Sequence, residues 1–209
     1  MTPPRKDDRI RHQIAIEAAR LMLESGIPDF KTAKCKAANK LGIPKTRHLP
    51  RNVDIENAII EYQRLFRKDS QPRYLQSLRE TALIAMNMLE QFNPRLVGPV
   101  LRGTADNLSD INIHVFTDTP EEIGWHLMSR DIPYNVQEKK LRAPRDQVTR
   151  LTNYQFTVDN TVIELTVFPV DGIRQAPPCP VDGKPMLRAS HKEVEQLILD
   201  NKANSGIKL

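Results

Sequence analysis

Between Gly98 and Phe116 the chain reads Gly98-Pro99-Val100-Leu101-Arg102-Gly103-Thr104-Ala105-Asp106-Asn107-Leu108-Ser109-Asp110-Ile111-Asn112-Ile113-His114-Val115-Phe116. From Asp110 onward polar and apolar residues alternate, the period of a half-buried strand. Side chains at i and i+2 of a strand share a face, so Asp110, Asn112 and His114 stand on one side and Ile111, Ile113 and Val115 on the other. The carbonyl of Asn112 brings no charge and ligates Mg²⁺ more weakly than a carboxylate does. His114 reads as a hydrogen-bonded strand residue, and as a metal ligand it would suit Mn²⁺ better than oxygen-preferring Mg²⁺. A second strand pattern, Val162-Ile163-Glu164-Leu165-Thr166-Val167, holds the single acid Glu164. A lone acid in an otherwise apolar strand calls for a partner: a metal ion, Arg102, or a basic residue of the 139–150 segment. The plainer alternatives are a turn-closing role for Asp110 and an ordinary turn at Arg102-Gly103.

Gly98, Arg102-Gly103 and Ser109-Asp110-Ile111-Asn112 entering a hydrophobic strand resemble the signature of the DNA polymerase β-like nucleotidyltransferase superfamily, in particular its minimal members. That signature is Gly-Ser, then Arg-Gly, then Ser-Asp-x-Asp, and the spacing is matched here without a gap over a resemblance covering roughly residues 75–170. Nucleotidyl transfer uses divalent ions that bridge the phosphates, held by carboxylates of adjacent strands and helped by backbone amides at a tight turn. The resemblance therefore implies Asp110 and Glu164 as catalytic carboxylates and, with Asn112, as ligands of Mg²⁺ or Mn²⁺. It implies Gly98, Arg102, Gly103, Thr104 and Ser109 around the nucleotide. An active member would be a metal-dependent nucleotidyltransferase working by in-line attack at the α-phosphate. Two departures weaken that expectation. Pro99 stands where active members carry serine, and it has neither hydroxyl nor N–H; Asn112 stands where they carry the second acid. Both point to a divergent protein that binds a nucleotide or phosphorylated small molecule and is catalytically weak or degenerate.

These residues need elements to hold them. Ile10, Ile14, Ala18 and Leu21 recur at helical steps and Gly26 follows as a C-cap. Asp29 is a candidate N-cap for a helix keeping Phe30, Ala33, Ala37 and Leu41 together and stopping at Gly42. Pro50-Arg51-Asn52 opens a third helix, with Ile55, Ala58, Ile59, Tyr62 and Phe66 on one stripe, and a fourth is expected from Tyr74 to Phe92. The period then changes to 2. Leu96-Val97-Gly98 with Val100-Leu101 suggests a first strand, the Asp110 segment a second, and 135–141 and 151–158 two more. Asp159-Asn160 is a hairpin turn into 161–170. Thr119-Pro120 starts a helix to about Ser129, residues 171–189 read as an ordered loop, and Ser190 caps a last helix.

The 209 residues can bury a substantial core, with 39 % hydrophobic and 27 % charged residues. No apolar run reaches the length of a membrane span, and the N-terminus lacks the apolar region of a signal peptide. Two cysteines, Cys35 and Cys179, have no partner at metal-ligand spacing and fit a reducing cytoplasm. The Cys179–Pro185 segment reads as a turn rather than half a zinc knuckle. Neither G-x-S-x-G nor G-x-x-x-x-G-K-[ST] occurs, so a hydrolase triad and a P-loop have no support.

Charge is uneven. Residues 1–50 carry eleven Lys and Arg against five Asp and Glu, a net of +6 in a chain of +5. Ile14–Gly26 also resembles, loosely, the first helix of a TetR-type domain. Lys31, Lys34, Lys36 and Lys40, with Lys45 and Arg47 beyond, would suit a nucleic-acid backbone. A recognition helix should follow after a short turn, yet Pro44 and Pro50 interrupt the chain there. The basic run Lys139–Arg145, with Arg150, would suit phosphates or a solvated hairpin. The expectation is an α+β protein: a helical N-terminal region over 1–70, then a nucleotidyltransferase-like mixed sheet with flanking helices over 71–209. Nucleotide binding is the expected function, and a DNA-binding regulator using the basic N-terminal helices is the alternative.

Overall fold

The computed structural model describes residues 6–43, 49–142 and 148–204. It forms two units, residues 1–72 with 180–182, and residues 73–179 with 183–209.

Three helices build the first unit: α1 (Lys6–Ser25), α2 (Phe30–Lys40) and α3 (Asn52–Phe66). Their shared core is rich in alanine, with Ile14, Ala15, Ala18, Ala19 and Leu23 of α1 against Ala33, Ala37 and Ala38 of α2 and Ile55 and Ile59 of α3. Small side chains let helix axes approach closely without losing packing density. Asp29 caps α2 by accepting from the Thr32 amide at 2.7 Å. That bond also holds the Asp29 carboxyl below its ordinary range. Pro44, Lys45, Thr46, Arg47 and His48 lie outside the described residues.

Helix α4 (Gln71–Met88) lies in the second unit from Arg73 onward, followed by a 3₁₀ turn at Glu90–Phe92 and a five-stranded mixed sheet. In chain order come β1 (Arg95–Val97), α5 (Gly98–Arg102), β2 (Ile111–Phe116), α6 (Glu121–Met128), β3 (Asn135–Arg142), β4 (Val148–Val158), β5 (Thr161–Phe168) and α7 (His191–Asn204). The spatial order is β1-β2-β5-β4-β3, with β2 and β5 parallel and every other pair antiparallel. Parallel pairing of β2 with β5 needs a long crossover, here α6 and the β3–β4 hairpin. One sheet face is the core. Ile111, Ile113, Val115, Ile163, Leu165, Tyr154 and Phe156 pack with Leu78, Ala82, Met86 and Leu89 of α4, Ile123 and Leu127 of α6, and Val194 and Ile198 of α7. Among the described residues no helix is long and apolar enough to cross a membrane.

One expected strand is a helix. Val100 and Leu101 lie in α5, not in an extension of β1. Gly98 at φ +74 breaks the strand, and Pro99 at the helix start has a preset φ and no N–H to orphan. Gly103 at φ +84 ends the turn. Buried Arg79 of α4 then donates Nε to the Val100 carbonyl at 3.2 Å and Nη2 to that of Leu101 at 3.5 Å, a cation at a helix C-terminus. The Cys179 segment closes on itself as a turn, the Gly183 amide donating to the Cys179 carbonyl at 2.9 Å.

Candidate functional site

The face of the sheet opposite the core holds the polar residues singled out in β2 and β5. Strand register sets Val97, Asn112, Glu164, Gln155 and Asn135 in one row across all five strands. The next row is Arg95, His114, Thr166, Asn153 and Gln137. Asn112 and Glu164 are thus direct neighbours on two parallel strands, and Asp110 precedes β2 on the same side. Gly98 stands against Asn112. A Cβ there would meet Asn112 Nδ2 at 3.4 Å, and the positive φ itself excludes most side chains.

Electrostatics differ between the two acids. Glu164 is held twice: Lys139 Nζ lies 2.5 Å from Oε2, and Gln155 Nε2 donates to Oε1 at 2.7 Å. Its cation therefore comes from the 139–150 segment. Asp110 is half-buried, and no donor reaches its carboxylate among the described residues. Burial raises its pKa first, the charge of Glu164 raises it further, and Lys139 offsets part of the rise. Asn112 Nδ2 donates to the Asp110 carbonyl at 3.3 Å, which fixes the amide at the centre of the group.

The remaining residues singled out in the sequence spread around this centre. Ser109 closes the loop before β2, its Oγ accepting from the Asp106 amide at 2.9 Å, while Asp106 Oδ1 accepts from the Leu108 amide at 3.0 Å. Thr104 is buried, and its amide donates to the Pro99 carbonyl at 3.0 Å. Arg102 donates Nη1 to Cys179 Sγ at 3.7 Å. Asp110, Asn112, Glu164 and Gly98 come together, whereas Ser109 and Thr104 support the turn. In α2, Lys40 pairs with Glu17 at 2.8 Å, and burial lowers the pKa of Lys34. Arg145, of the basic hairpin run, lies outside the described residues.

A second group adjoins the first and was missed. Arg188 donates Nε to His114 Nδ1 at 3.1 Å and Nη1 to the Gly172 carbonyl at 2.7 Å. Its guanidinium lies 5.0 Å and 4.8 Å from the ring centroids of Phe116 and Phe168. Its Nη2 is buried and has no hydrogen-bond partner among the described residues. Burial, then the charges of Arg188 and Lys139, push the His114 pKa down to about 3. The imidazole is neutral, with Nδ1 as acceptor. Burial and then Arg95 lower Arg188 to about 10, still protonated at neutral pH. Arg188 sits in the Pro- and Gly-rich stretch, where no local pattern marks it. Only the lone histidine of β2 hinted at a partner.

Of the implied metal ligands, Glu164 is already engaged as the side chains stand. Both oxygens of Glu164 are bonded, Lys139 already supplies a positive charge, and Asn112 adds none. Among the described residues no three of His, Cys, Asp and Glu lie where they could share a metal ion. No protein-family model matches the chain, and no curated protein matches its sequence.

Proposed function

We propose that the protein binds a nucleotide or another phosphorylated ligand on the polar face of the sheet and is a divergent, nucleotidyltransferase-like protein with weak or no catalysis. One observation carries this reading: Asp110, Asn112 and Glu164 face one way on the paired strands β2 and β5, with Gly98 packed against Asn112. Aligned donors, acceptors and cations on a rigid sheet suit a polar ligand. Efficient transfer chemistry is disfavoured by Pro99, by Asn112 and by the engagement of Glu164 with Lys139. Such a protein holds the phosphorylated ligand without turning it over.

Thermal unfolding with each of the four ribonucleoside triphosphates, with and without Mg²⁺ or Mn²⁺, tests this. A ligand at about a hundred times its Kd stabilises by roughly 2.7 kcal/mol, which moves Tm by several degrees in a chain of this size. Wild type is expected to shift with at least one triphosphate. Asn112→Leu, which puts an apolar group at the centre of the row, is expected to lose the shift. A shift that survives in Asn112→Leu places the ligand elsewhere, and no shift with any triphosphate overturns the reading.

A further inference from the structure

We propose that this face takes up a phosphate group without a divalent ion, the Lys139 ammonium standing in the ion's place beside Glu164. The inference rests on the phosphorylated-ligand reading of the same site and specifies how the phosphate is held.

Where phosphates are bound next to carboxylates, a cation must sit between the two sets of negative oxygens. Here that position is filled by the chain itself. Lys139 reaches from the edge strand β3 over β4 to Glu164, and Gln155 fixes the other carboxylate oxygen, so Glu164 is oriented and neutralised at once. An ammonium has three N–H donors, and the bond to Glu164 uses one. The Lys139 side chain is 34 % exposed and Glu164 only 17 %. A ligand arriving from solvent therefore meets the ammonium rather than the acid. A divalent ion added to this arrangement would lie against a fixed positive charge.

The charges on the face agree. Asp110 and Glu164 are opposed by Lys139, Arg188 and Arg95, all on the same side of the sheet or bonded to it. Arg95 also acts on Glu193, so the carboxylates of this face are already matched by cations before any metal arrives. Arg188 is bonded to the His114 ring at 3.1 Å, one row along from Asn112 and Glu164. Arg188 keeps the buried Nη2 that nothing in the described chain satisfies. A buried guanidinium N–H left unpaired is costly, and a phosphate oxygen is the acceptor that suits it best.

The test is direct binding of ATP, GTP, CTP, UTP and inorganic tripolyphosphate to the full chain by calorimetry, in EDTA and again in excess Mg²⁺. Wild type is expected to bind at least one of these in EDTA, with Mg²⁺ raising the affinity by less than about threefold. Lys139→Met is expected to lose about tenfold or more in EDTA, the loss of one charge-assisted hydrogen bond. It should recover affinity in Mg²⁺, because Glu164 is then free to hold the ion. Lys139→Arg keeps the charge and should bind in EDTA like wild type, which controls for folding. Tripolyphosphate binding as well as the nucleotides shows that the phosphates alone are read. Wild-type affinity that depends on Mg²⁺, or wild-type binding by Lys139→Met in EDTA, overturns the proposal and leaves phosphorylated-ligand binding standing. Absence of binding by any probe in either condition overturns both.

Discussion

His114 shows how a single side chain ties this site to stability. Its pKa falls from an ordinary 6.5 to about 3 in the folded chain. The unfolded chain therefore binds the proton first as pH drops, and the contribution present above 6.5 is lost as pH falls toward 3. The slope from this one group is at most about 1.4 kcal/mol per pH unit. Asp110 works in the opposite sense: its raised pKa favours the neutral acid, so its contribution is lost as pH rises through the folded value. His114→Gln keeps a side-chain acceptor for Arg188 and removes the titration. Urea unfolding at pH 7.5, 6 and 5 is expected to show wild type losing stability faster than the variant. Equal slopes would mean that the imidazole takes up its proton as readily in the fold as in the unfolded chain, so that burial and Arg188 do not hold it neutral. The acid and amide positions of this site were legible, because strand alternation alone places Asp110, Asn112 and His114 on one face. Arg188 was not, since it lies 74 positions from His114 and its loop carries no periodicity.

Elements follow the same division between local and remote causes. The β4–β5 turn is local: Asp159 and Asn160 adopt φ +47 and +65, both left-handed, as a two-residue hairpin of this twist requires. Asparagine tolerates that region and alanine does not. Asn160→Ala is therefore expected to cost about 1 kcal/mol, seen as a fall in Tm of about 2–4 °C. No change in Tm would mean the turn relaxes to another type without disturbing the register of β5. The Asp29 cap and the switch from helical to strand period at Asn93-Pro94 were likewise readable from neighbours in sequence. Helix α5 was not. Val100 and Leu101 are apolar residues of a five-residue helix, too short to show a period. The cation satisfying its carbonyls, Arg79, is held on α4, 21 residues away from Val100. Glu164 and Lys139 pair for the same reason across 25 positions: the sequence offers several cations, and only the folded sheet chooses.

At the scale of the whole chain, the excess positive charge and the candidate site lie in different units. The net +6 of residues 1–50 belongs to the helical unit, while the polar sheet face belongs to the other. Part of the helical charge is spent within that unit, through Lys40 and Arg20 on Glu17 at 2.8 and 3.3 Å. If the site lies on the sheet, a nucleotide should report on the sheet unit alone. Hydrogen exchange gives the readout, because ligand contact slows opening of the elements it touches. Adding the triphosphate that shifts Tm is expected to raise protection in β2, β5 and residues 185–190, with no change in α1 to α3. A duplex-binding regulator behaves in the reverse way. Duplex DNA would then protect α2, with affinity falling steeply with salt as phosphate contacts are screened, and no nucleotide would alter β2 or β5. Protection in α2 with DNA, and none on the sheet with any triphosphate, would move the function from the strands to the helices.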